Sequence, residues 1–261
     1  MKKIKDQLNK IKKENRLGVM THIVVGYPSL EENKKMIQLM AETGVDFIEL
    51  QIPFSDPMAD GPMIMKANKE SLDQGTKVRD AFMLMREMSQ KIEIPLLFMG
   101  YFNTVLNYGT EKFCHDASQA GCSGLIFPDI PLEEEKEENF IKHTNEFGMN
   151  SIRVLSPAST TERIKKNSEV ASGFVYFVGR KGTTGAKKSL DSLLEKNIER
   201  LKKHIKIPVA VGFGISNATH VRSLVGKADV VVVGSALLEA YELGGMKKVG
   251  NILESIVDAT R

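Results

Sequence analysis

The sequence predicts a single (β/α)8 TIM barrel with an additional N-terminal helix. Eight short apolar runs alternate with helical segments along the 261 residues, a pattern typical of parallel strands that are covered on both faces. Eight such units in about 260 residues fit one closed barrel, and no linker-like stretch divides the chain. We therefore expect residues 1–261 to form one barrel domain, with residues 1–15 as a helix packed on the barrel.

A doubly wound parallel sheet is the alternative fold for the same alternation. A Gly-x-Gly-x-x-Gly turn would indicate a dinucleotide site on such a sheet, and the sequence contains no such turn. The closed barrel is therefore favoured.

The elements are predicted in order from local signals. Ile4, Leu8 and Ile11 recur at helical spacing in the N-terminal segment, and Ser29 followed by Glu32 predicts a capping box for a helix that reaches about residue 43. The predicted strands cover residues 19–25, 45–52, 94–99, 124–127, 151–155, 173–178, 208–212 and 230–233.

Further helices are predicted over residues 77–90, 110–119 and 236–242, and another begins within residues 132–138. Ser159 with Glu162 predicts the capped start of one more helix. Two connections are longer than the rest, over residues 53–76 and 179–189. Long loops at the catalytic end of a barrel are either lids that close over a substrate or mobile surface.

The composition is that of an ordinary globular protein. With 36 basic and 33 acidic residues the formal charge is +3, too small to indicate a nucleic-acid or membrane partner. Cys114 and Cys122 lack metal-type spacing, and we expect reduced thiols in a cytoplasmic protein. The charged N-terminus lacks the apolar core of a signal peptide, and no apolar run is long enough to span a membrane.

Two glycine-rich turns predict a phosphate site. The seventh strand ends in residues 212–216, GFGIS, and the eighth ends in Gly234 and Ser235 before a helix. Glycines let backbone N–H groups approach an anion, and barrels often bind phosphate between these two loops. Gly185 could close over the same anion, and residues 180–181 add positive charge. The alternative is that both segments are only tight turns.

Two carboxylates, Glu49 and Asp60, lie near the C-terminal end of the second strand. Alternation places Glu49 on the same face as Phe47 and Gln51, and the opposite, all-aliphatic face belongs against the helices. We therefore expect Glu49 to point into the barrel, where poor solvation raises the pKa of a carboxyl, while Asp60 lies on a wetter loop. The pair predicts acid–base chemistry. The alternative is a salt-bridged core Glu49 and a turn-capping Asp60.

Residues 49–62, ELQIPFSDPMADGP, closely resemble the signature of the tryptophan synthase α subunit, a family that usually has Gly at the position of Gln51. The resemblance covers essentially the whole chain. It continues in Tyr101 and Asn103 of GYFNTVLNYG, in PDIP at 128–131, ASGFVY at 171–176, Thr184-Gly185, GFGIS at 212–216 and Gly234-Ser235.

The resemblance implies the retro-aldol cleavage of indole-3-glycerol phosphate to indole and glyceraldehyde 3-phosphate in tryptophan synthesis. Glu49 would then protonate the indole ring carbon and assist the glycerol hydroxyl. Asp60 would hold the indole N–H and stabilise positive charge on the ring. Tyr176 would help to position Glu49, and Tyr101 would line the indole pocket.

The resemblance also implies the remaining contacts. Thr184 and Gly185 would belong to a closing loop, and the phosphate would be held by Phe213, Gly214, Gly234 and Ser235. The family works as an α2β2 complex that passes indole to a β subunit carrying pyridoxal phosphate, so this chain would need no cofactor or metal of its own. Asp56 and residues 128–131 lie where the family meets its partner.

Several positions depart from the family pattern. Gln51 could donate a hydrogen bond to Glu49 or crowd the substrate. His22 stands where Phe is common, either as a titrating pocket group or as a hydrogen-bonded core residue, and Ile23 and Val25 beside it should face outwards. Further departures are Met65 where Gln is common, Gly100 where Thr is common and Gly179 where Ser is usual, and the sequence offers no role for Arg153.

These departures leave two other functions open. A degenerate subunit would bind the phosphate ligand and activate the β subunit while catalysing little. Another phosphosugar barrel enzyme is disfavoured, because the signature at residues 49–62 is not a general phosphate motif.

Overall fold

The computed structural model describes residues 1–178, 192–212 and 214–261. Its strands close into one parallel barrel in sequence order, and β1 pairs with both β2 and β8. This closure confirms the predicted barrel and excludes the doubly wound sheet. The strands are β1 Gly18–Val24, β2 Phe47–Gln51, β3 Leu96–Met99, β4 Gly124–Ile126, β5 Asn150–Leu155, β6 Val175–Val178, β7 Val209–Gly212 and β8 Val230–Val233.

Helices surround the barrel, and α12 contains non-helical backbone at Gly244 and Gly245. Across the described ranges, no helix is long and apolar enough to cross a membrane. The helices are α1 Lys2–Lys13, α2 Leu30–Thr43, α3 Pro62–Asp73, α4 Val78–Lys91, α5 Phe102–Tyr108, α6 Thr110–Gln119, α7 Glu135–Glu138, α8 Phe140–Glu146, α9 Thr161–Val170, α10 Ser192–Lys202, α11 Ala218–Arg222 and α12 Ser235–Asp258. A 3-10 turn, Leu132–Glu134, precedes α7.

The N-terminal helix α1 closes the lower end of the barrel, which is the end at which the strands begin. Ile4 and Ile11 are buried and join the apolar cluster that fills the barrel interior. Ile4 fits against two glycines, because a Cβ at Gly124 or Gly173 would lie 3.1 or 3.2 Å from its side chain. The predicted amphipathic helix is confirmed. Its apolar residues Ile4 and Ile11 are buried in the barrel interior and do not lie on the outer surface of the barrel.

An ion pair anchors the chain at this lower end. The Arg16 guanidinium donates two hydrogen bonds to the Asp46 carboxylate, at 2.7 and 2.8 Å. Asp46 is buried and also accepts hydrogen bonds from the backbone N–H of Val19, at 2.9 Å, and from the side chain of Gln7 in α1. The carboxylate thus joins α1, β1 and the start of β2.

Side chains alternate across the strands as predicted. Ile48, Leu50 and Ile52 pack with the helices in the outer cluster, together with Ile23 and Val25 of the neighbouring strand. Phe47 and the other inward residues of the lower barrel form the inner cluster, in which the rings of Phe47 and Phe174 lie 5.6 Å apart. This alternation directs Glu49 into the barrel.

Part of the connection over residues 53–76, predicted as a loop, is the helix α3. Gly61 precedes it, and Pro62 occupies its first turn. Its buried face includes the polar Asn68 and Ser71, which hydrogen-bond the backbone N–H of Phe54 and the backbone carbonyl of Val25. Because these inward positions are polar, the apolar period that would have indicated a helix is weak.

Two helix starts test the predicted caps. Ser29 accepts a hydrogen bond from the backbone N–H of Glu32 at 3.2 Å, as expected. The prediction for Ser159 was wrong, because Thr160 caps α9 and accepts from Arg163 N at 3.2 Å. Ser159 instead accepts from the backbone N–H of Ser156.

Cys114 and Cys122 are buried free thiols, as predicted. Burial raises the pKa of Cys114 to about 11 and that of Cys122 to about 12, which keeps both protonated at neutral pH. In the part of the chain that the structure describes, no group of His, Cys, Asp or Glu is placed to hold a metal ion.

Candidate active site

A buried pair, His22 and Glu49, forms the floor of the site. The two residues are direct partners in the parallel register of β1 and β2. His22 Nδ1 lies 2.9 Å from Glu49 Oε1, and the two side chains are 2% and 1% exposed. Glu49 therefore faces inwards as predicted, and His22 is both a hydrogen-bonded core residue and a titratable neighbour of the carboxylate.

The surroundings of His22 favour its charged form. Burial lowers the pKa of the imidazole, but the hydrogen bond and the charge of Glu49, followed by the charge of Asp60 and the amide of Gln51, raise the pKa above its ordinary value. Within the described ranges, His22 Nε2 and Glu49 Oε2 have no hydrogen-bond partner. The pair thus keeps one nitrogen and one oxygen free for other hydrogen bonds.

Asp60 lies above this floor and is held by two donors. The Gln51 side-chain amide donates to Asp60 Oδ2 at 2.7 Å, and the Tyr101 hydroxyl donates to the same oxygen at 3.0 Å. A hydrogen bond from Gln51 to Glu49 was one of two interpretations of this residue, and the amide donates to Asp60 instead. The Gln51 Oε1 atom is buried without a partner among the described residues.

Tyr101 also organises the loop that carries Asp60. Its hydroxyl accepts a hydrogen bond from the backbone N–H of Ala59 at 2.9 Å, and its ring stacks on Phe54 with centroids 5.0 Å apart. Burial, followed by the charge of Asp60, raises the pKa of Tyr101. The hydroxyl therefore stays protonated and remains a donor to Asp60 at neutral pH.

Tyr176 forms the wall of the site on β6. It is 7% exposed, and burial, followed by the charges of Glu49 and Asp60, raises the pKa of its hydroxyl well above the ordinary value. A Cβ at Gly212 would lie 2.8 Å from the Tyr176 ring. The glycine at the end of β7 therefore provides the space that the Tyr176 ring occupies.

The glycine turns of β7 and β8 lie side by side, since these two strands are paired. Gly214 has a φ of +61°, which glycine adopts most readily, and Gly234 immediately precedes α12, which begins at Ser235. Backbone N–H groups at this helix start suit an anion. The predicted site residues Thr184, Gly185 and Phe213, with Gly179 and residues 180–181, lie outside the described residues.

Arg153 ties three outer elements together. Its Nε donates to Asn167 Oδ1 of α9 at 2.8 Å, and its Nη2 donates to the backbone carbonyl of Ile130 at 2.9 Å. Burial lowers the pKa of Arg153 to about 10. The neighbouring Asp129 accepts from the backbone N–H of Phe102 at the start of α5. The segment at residues 128–131 is thus held from both sides.

Two further departures from the family pattern are Met65 and Gly100. Met65 on α3 is 46% exposed. A Cβ at Gly100 would lie 3.1 Å from the Phe127 ring, so a larger residue there would require the ring to move.

Comparisons with known proteins agree with this geometry. The family profile described as tryptophan synthase alpha chain matches residues 8–255. The chain belongs to this family. The tryptophan synthase alpha chain of Desulfotalea psychrophila is 43% identical over 249 residues, which cover 95% of this chain and 97% of that protein.

Solved structures support the same assignment. A tryptophan synthase structure from Mycobacterium tuberculosis superposes with a TM-score of 0.92 at 30% identity, covering 99% of this chain and 98% of that one. The tryptophan synthase subunit alpha of Legionella pneumophila superposes with a TM-score of 0.90 at 31% identity, covering 98% and 97%.

Family membership confirms several expectations from the sequence. The chain is a carbon–carbon lyase of tryptophan biosynthesis that catalyses the α reaction of tryptophan synthase, and its partner is the β subunit. The pyridoxal phosphate of the complete enzyme belongs to the β subunit.

Proposed function

We propose that this chain cleaves indole-3-glycerol phosphate with Glu49 and Asp60 as its two acid–base groups. The supporting observation is that these two carboxylates converge on one barrel mouth with different partners. Glu49 is buried against His22, whereas Asp60 is half-buried on a loop and accepts from Gln51 and Tyr101. Two carboxyl groups in unlike environments are suited to different roles in acid–base catalysis.

The roles follow from the positions of the two groups. Glu49, rooted on a strand, donates a proton to the indole carbon that bears the glycerol chain and then accepts the proton of the glycerol hydroxyl as the carbon–carbon bond breaks. Asp60 accepts the indole N–H hydrogen bond and stabilises the positive charge that the ring carries between these steps. Tyr176 positions Glu49, and Tyr101 lines the indole pocket and holds the Asp60 loop.

The phosphate group is placed at the paired glycine turns. Gly214, Gly234 and Ser235 offer backbone N–H groups, and the α12 start adds its partial positive charge. Phe213 belongs to the same proposed phosphate site. Thr184 and Gly185 are proposed to close over the bound substrate.

The assembly forms the last part of the proposal. Residues 1–261 act as one barrel domain in a cytoplasmic α2β2 complex. Exposed Asp56 and 92% exposed Met58 stand on the loop that also carries Asp60, and residues 128–131 form the second contact. A partner that binds this loop would therefore act directly on the position of a catalytic carboxylate.

The proposed roles are tested with Glu49→Gln and Asp60→Asn. Indole release from indole-3-glycerol phosphate is measured for the chain alone and with the β subunit. We expect each substitution to lower kcat by about 100-fold or more, the usual contribution of a general acid or base. Glu70→Gln and Asp73→Asn change the charge of α3 at exposed positions and serve as matched controls. Turnover that survives Glu49→Gln or Asp60→Asn contradicts the assigned roles.

One observation favours a second function, that of a catalytically weak subunit. The Gln51 amide already donates to one oxygen of the Asp60 carboxylate that would bind the indole N–H. Such a subunit would bind glyceraldehyde 3-phosphate and stimulate the β reaction with negligible cleavage of indole-3-glycerol phosphate. Brisk cleavage in the same assay excludes this alternative.

A further inference from the structure

The contact between His22 and Glu49 is built into the barrel itself. The residues face each other on neighbouring strands, with 2.9 Å between Nδ1 and Oε1. Both strands belong to the closed sheet, so the contact does not depend on a loop or on a bound substrate. Gly234 also lies close to the base of this side chain, because a Cβ built on Gly234 would be 3.4 Å from His22 Cβ and 3.7 Å from His22 Cγ.

The contact uses only one oxygen of the carboxylate. His22 Nδ1 engages Oε1, and Oε2 is buried without a hydrogen-bond partner in the described part of the chain. A carboxylate fixed through one oxygen has a defined rotamer and presents the other oxygen in one direction. Oε2 is thus the atom available to exchange protons with a substrate.

The groups that face His22 are acidic or neutral. Glu49 and Gln51 face it from β2, and Asp60 from the loop that follows. From β6, Tyr176 interacts with Glu49 and Asp60, and burial keeps its hydroxyl neutral. The two carboxylates therefore favour a proton on the imidazole, against the cost of its burial.

We propose that His22 and Glu49 share the proton that the reaction delivers to the indole ring, with His22 as the positioning residue for Glu49. This inference rests on the proposed function. The pair binds one exchangeable proton as a unit: His22 Nδ1–H donates to Oε1 in both forms, and the additional proton resides either on His22 Nε2 or on Glu49 Oε2, the two atoms without a hydrogen-bond partner among the described residues. Because an imidazole ordinarily holds a proton to higher pH than a carboxyl does, His22 extends the pH range in which the proton is available.

The pair ends each turnover with the same number of protons with which it began. The pair delivers its proton through Glu49 Oε2 to the indole carbon, leaving a carboxylate that accepts Nδ1–H from neutral His22. The ring then carries the positive charge, next to Asp60. The carboxylate takes the glycerol hydroxyl proton as the carbon–carbon bond breaks, and the electron pair of that bond returns to the ring. The pair regains its proton when indole and glyceraldehyde 3-phosphate form.

The test uses His22→Phe and His22→Asn in the complex with the β subunit, with indole release measured from about pH 5.5 to about pH 9.5. For His22→Phe we expect kcat to fall by about tenfold or more near pH 8, KM to change less than about threefold, and the basic limb of the kcat profile to move to lower pH. Asn can donate to Oε1 but cannot take up the proton. It should restore part of kcat at low pH while the basic limb stays displaced.

A measurement that needs no turnover separates this inference from the proposed function. The five histidines are labelled with carbon-13 at Cε1, and the His22 signal is identified by its loss in His22→Phe. Its titration should lie at higher pH than that of free imidazole and move to lower pH in Glu49→Gln.

The results that would overturn the shared proton differ from the result that would overturn the proposed function. Unchanged profiles in both His22 variants, or a loss of kcat by the same factor at every pH, would overturn the shared proton. A titration of His22 that Glu49→Gln leaves in place would overturn it as well. Absence of lyase turnover in the unmodified complex would instead overturn the proposed function, and with it the part that His22 plays in the reaction.

Discussion

The side-chain amide of Gln51 donates a 2.7 Å hydrogen bond to Oδ2 of Asp60. The Tyr101 hydroxyl donates to the same oxygen. In the proposed reaction this carboxylate receives the indole N–H and balances the charge of the protonated ring. With that role for Asp60, Gln51, a residue inside the family signature itself, would compete with the substrate for the carboxylate.

Replacing Gln51 by Gly should raise kcat/KM for indole-3-glycerol phosphate by roughly tenfold, because a hydrogen bond to a charged group contributes about 1.5–3 kcal/mol. Gln51→Met keeps most of the bulk and removes only the donor. An increase in both variants assigns the effect to competition for Asp60, and an increase in Gln51→Gly alone assigns it to crowding. Steady-state kinetics that neither variant alters would refute the obstruction.

Tyr101→Phe should lower kcat/KM by about tenfold, because it removes a donor to Asp60 and an acceptor of the Ala59 N–H. Folding should be little affected, since the ring that stacks on Phe54 is kept. Tyr108→Phe is the matched control, because that hydroxyl donates to Asp116 instead, at 2.6 Å. Equal kinetics for the two variants would show that the Tyr101 hydroxyl does not hold the Asp60 loop.

Asp46→Ala should destabilise the fold without changing the chemistry. It leaves the partly buried Arg16 guanidinium without its bidentate partner at the lower end of the barrel, a change that costs about 3 kcal/mol, the lower end of the range for a buried pair. Urea unfolding monitored by circular dichroism measures the loss, and the kcat of the folded variant should stay the same. Glu14→Ala removes the exposed partner of the same arginine and should cost far less. Similar losses in the two variants would contradict the importance of burial.

The buried histidine predicts a pH dependence of stability. Because the pKa of His22 is raised in the folded chain, the folded state binds a proton that the unfolded state releases above about pH 6.5. This contribution to the free energy of unfolding is complete below that pH and is lost as the pH rises through the folded-state pKa. The difference in unfolding free energy between the unmodified chain and His22→Phe should therefore shrink as the pH rises above about 6.5 and through the folded-state pKa. A constant difference would show that His22 binds no extra proton in the folded state.

Local pattern was sufficient to predict the barrel and the direction in which Glu49 points. Ile48, Leu50 and Ile52 face the helices because a strand has a period of two, and that period is visible in the residues themselves. The helix α3 was missed because its inward positions include Asn68 and Ser71. Their hydrogen bonds to backbone groups of other segments leave no trace in hydrophobic periodicity.

The hydrogen-bond partners within the site depend on register and on the path of the loop. One interpretation of Gln51 is a hydrogen bond to Glu49, but residues two apart on one strand face are separated by about 6.6 Å. The loop after β2 instead brings Asp60 within reach of the Gln51 amide. Likewise, Arg153 has hydrogen-bond partners on α9 and in the segment at residues 128–131. Both partners are distant in the sequence, so no local pattern around Arg153 predicts them.

The packing of Ile4 against Gly124 and Gly173 restricts the route by which small molecules can reach the barrel interior. Because α1 fills the lower end, the barrel interior can be reached only from the end at which the strands terminate. A substrate of the proposed site would therefore enter, and both products would leave, at this end, opposite α1, where the Asp60 loop and the glycine turns lie.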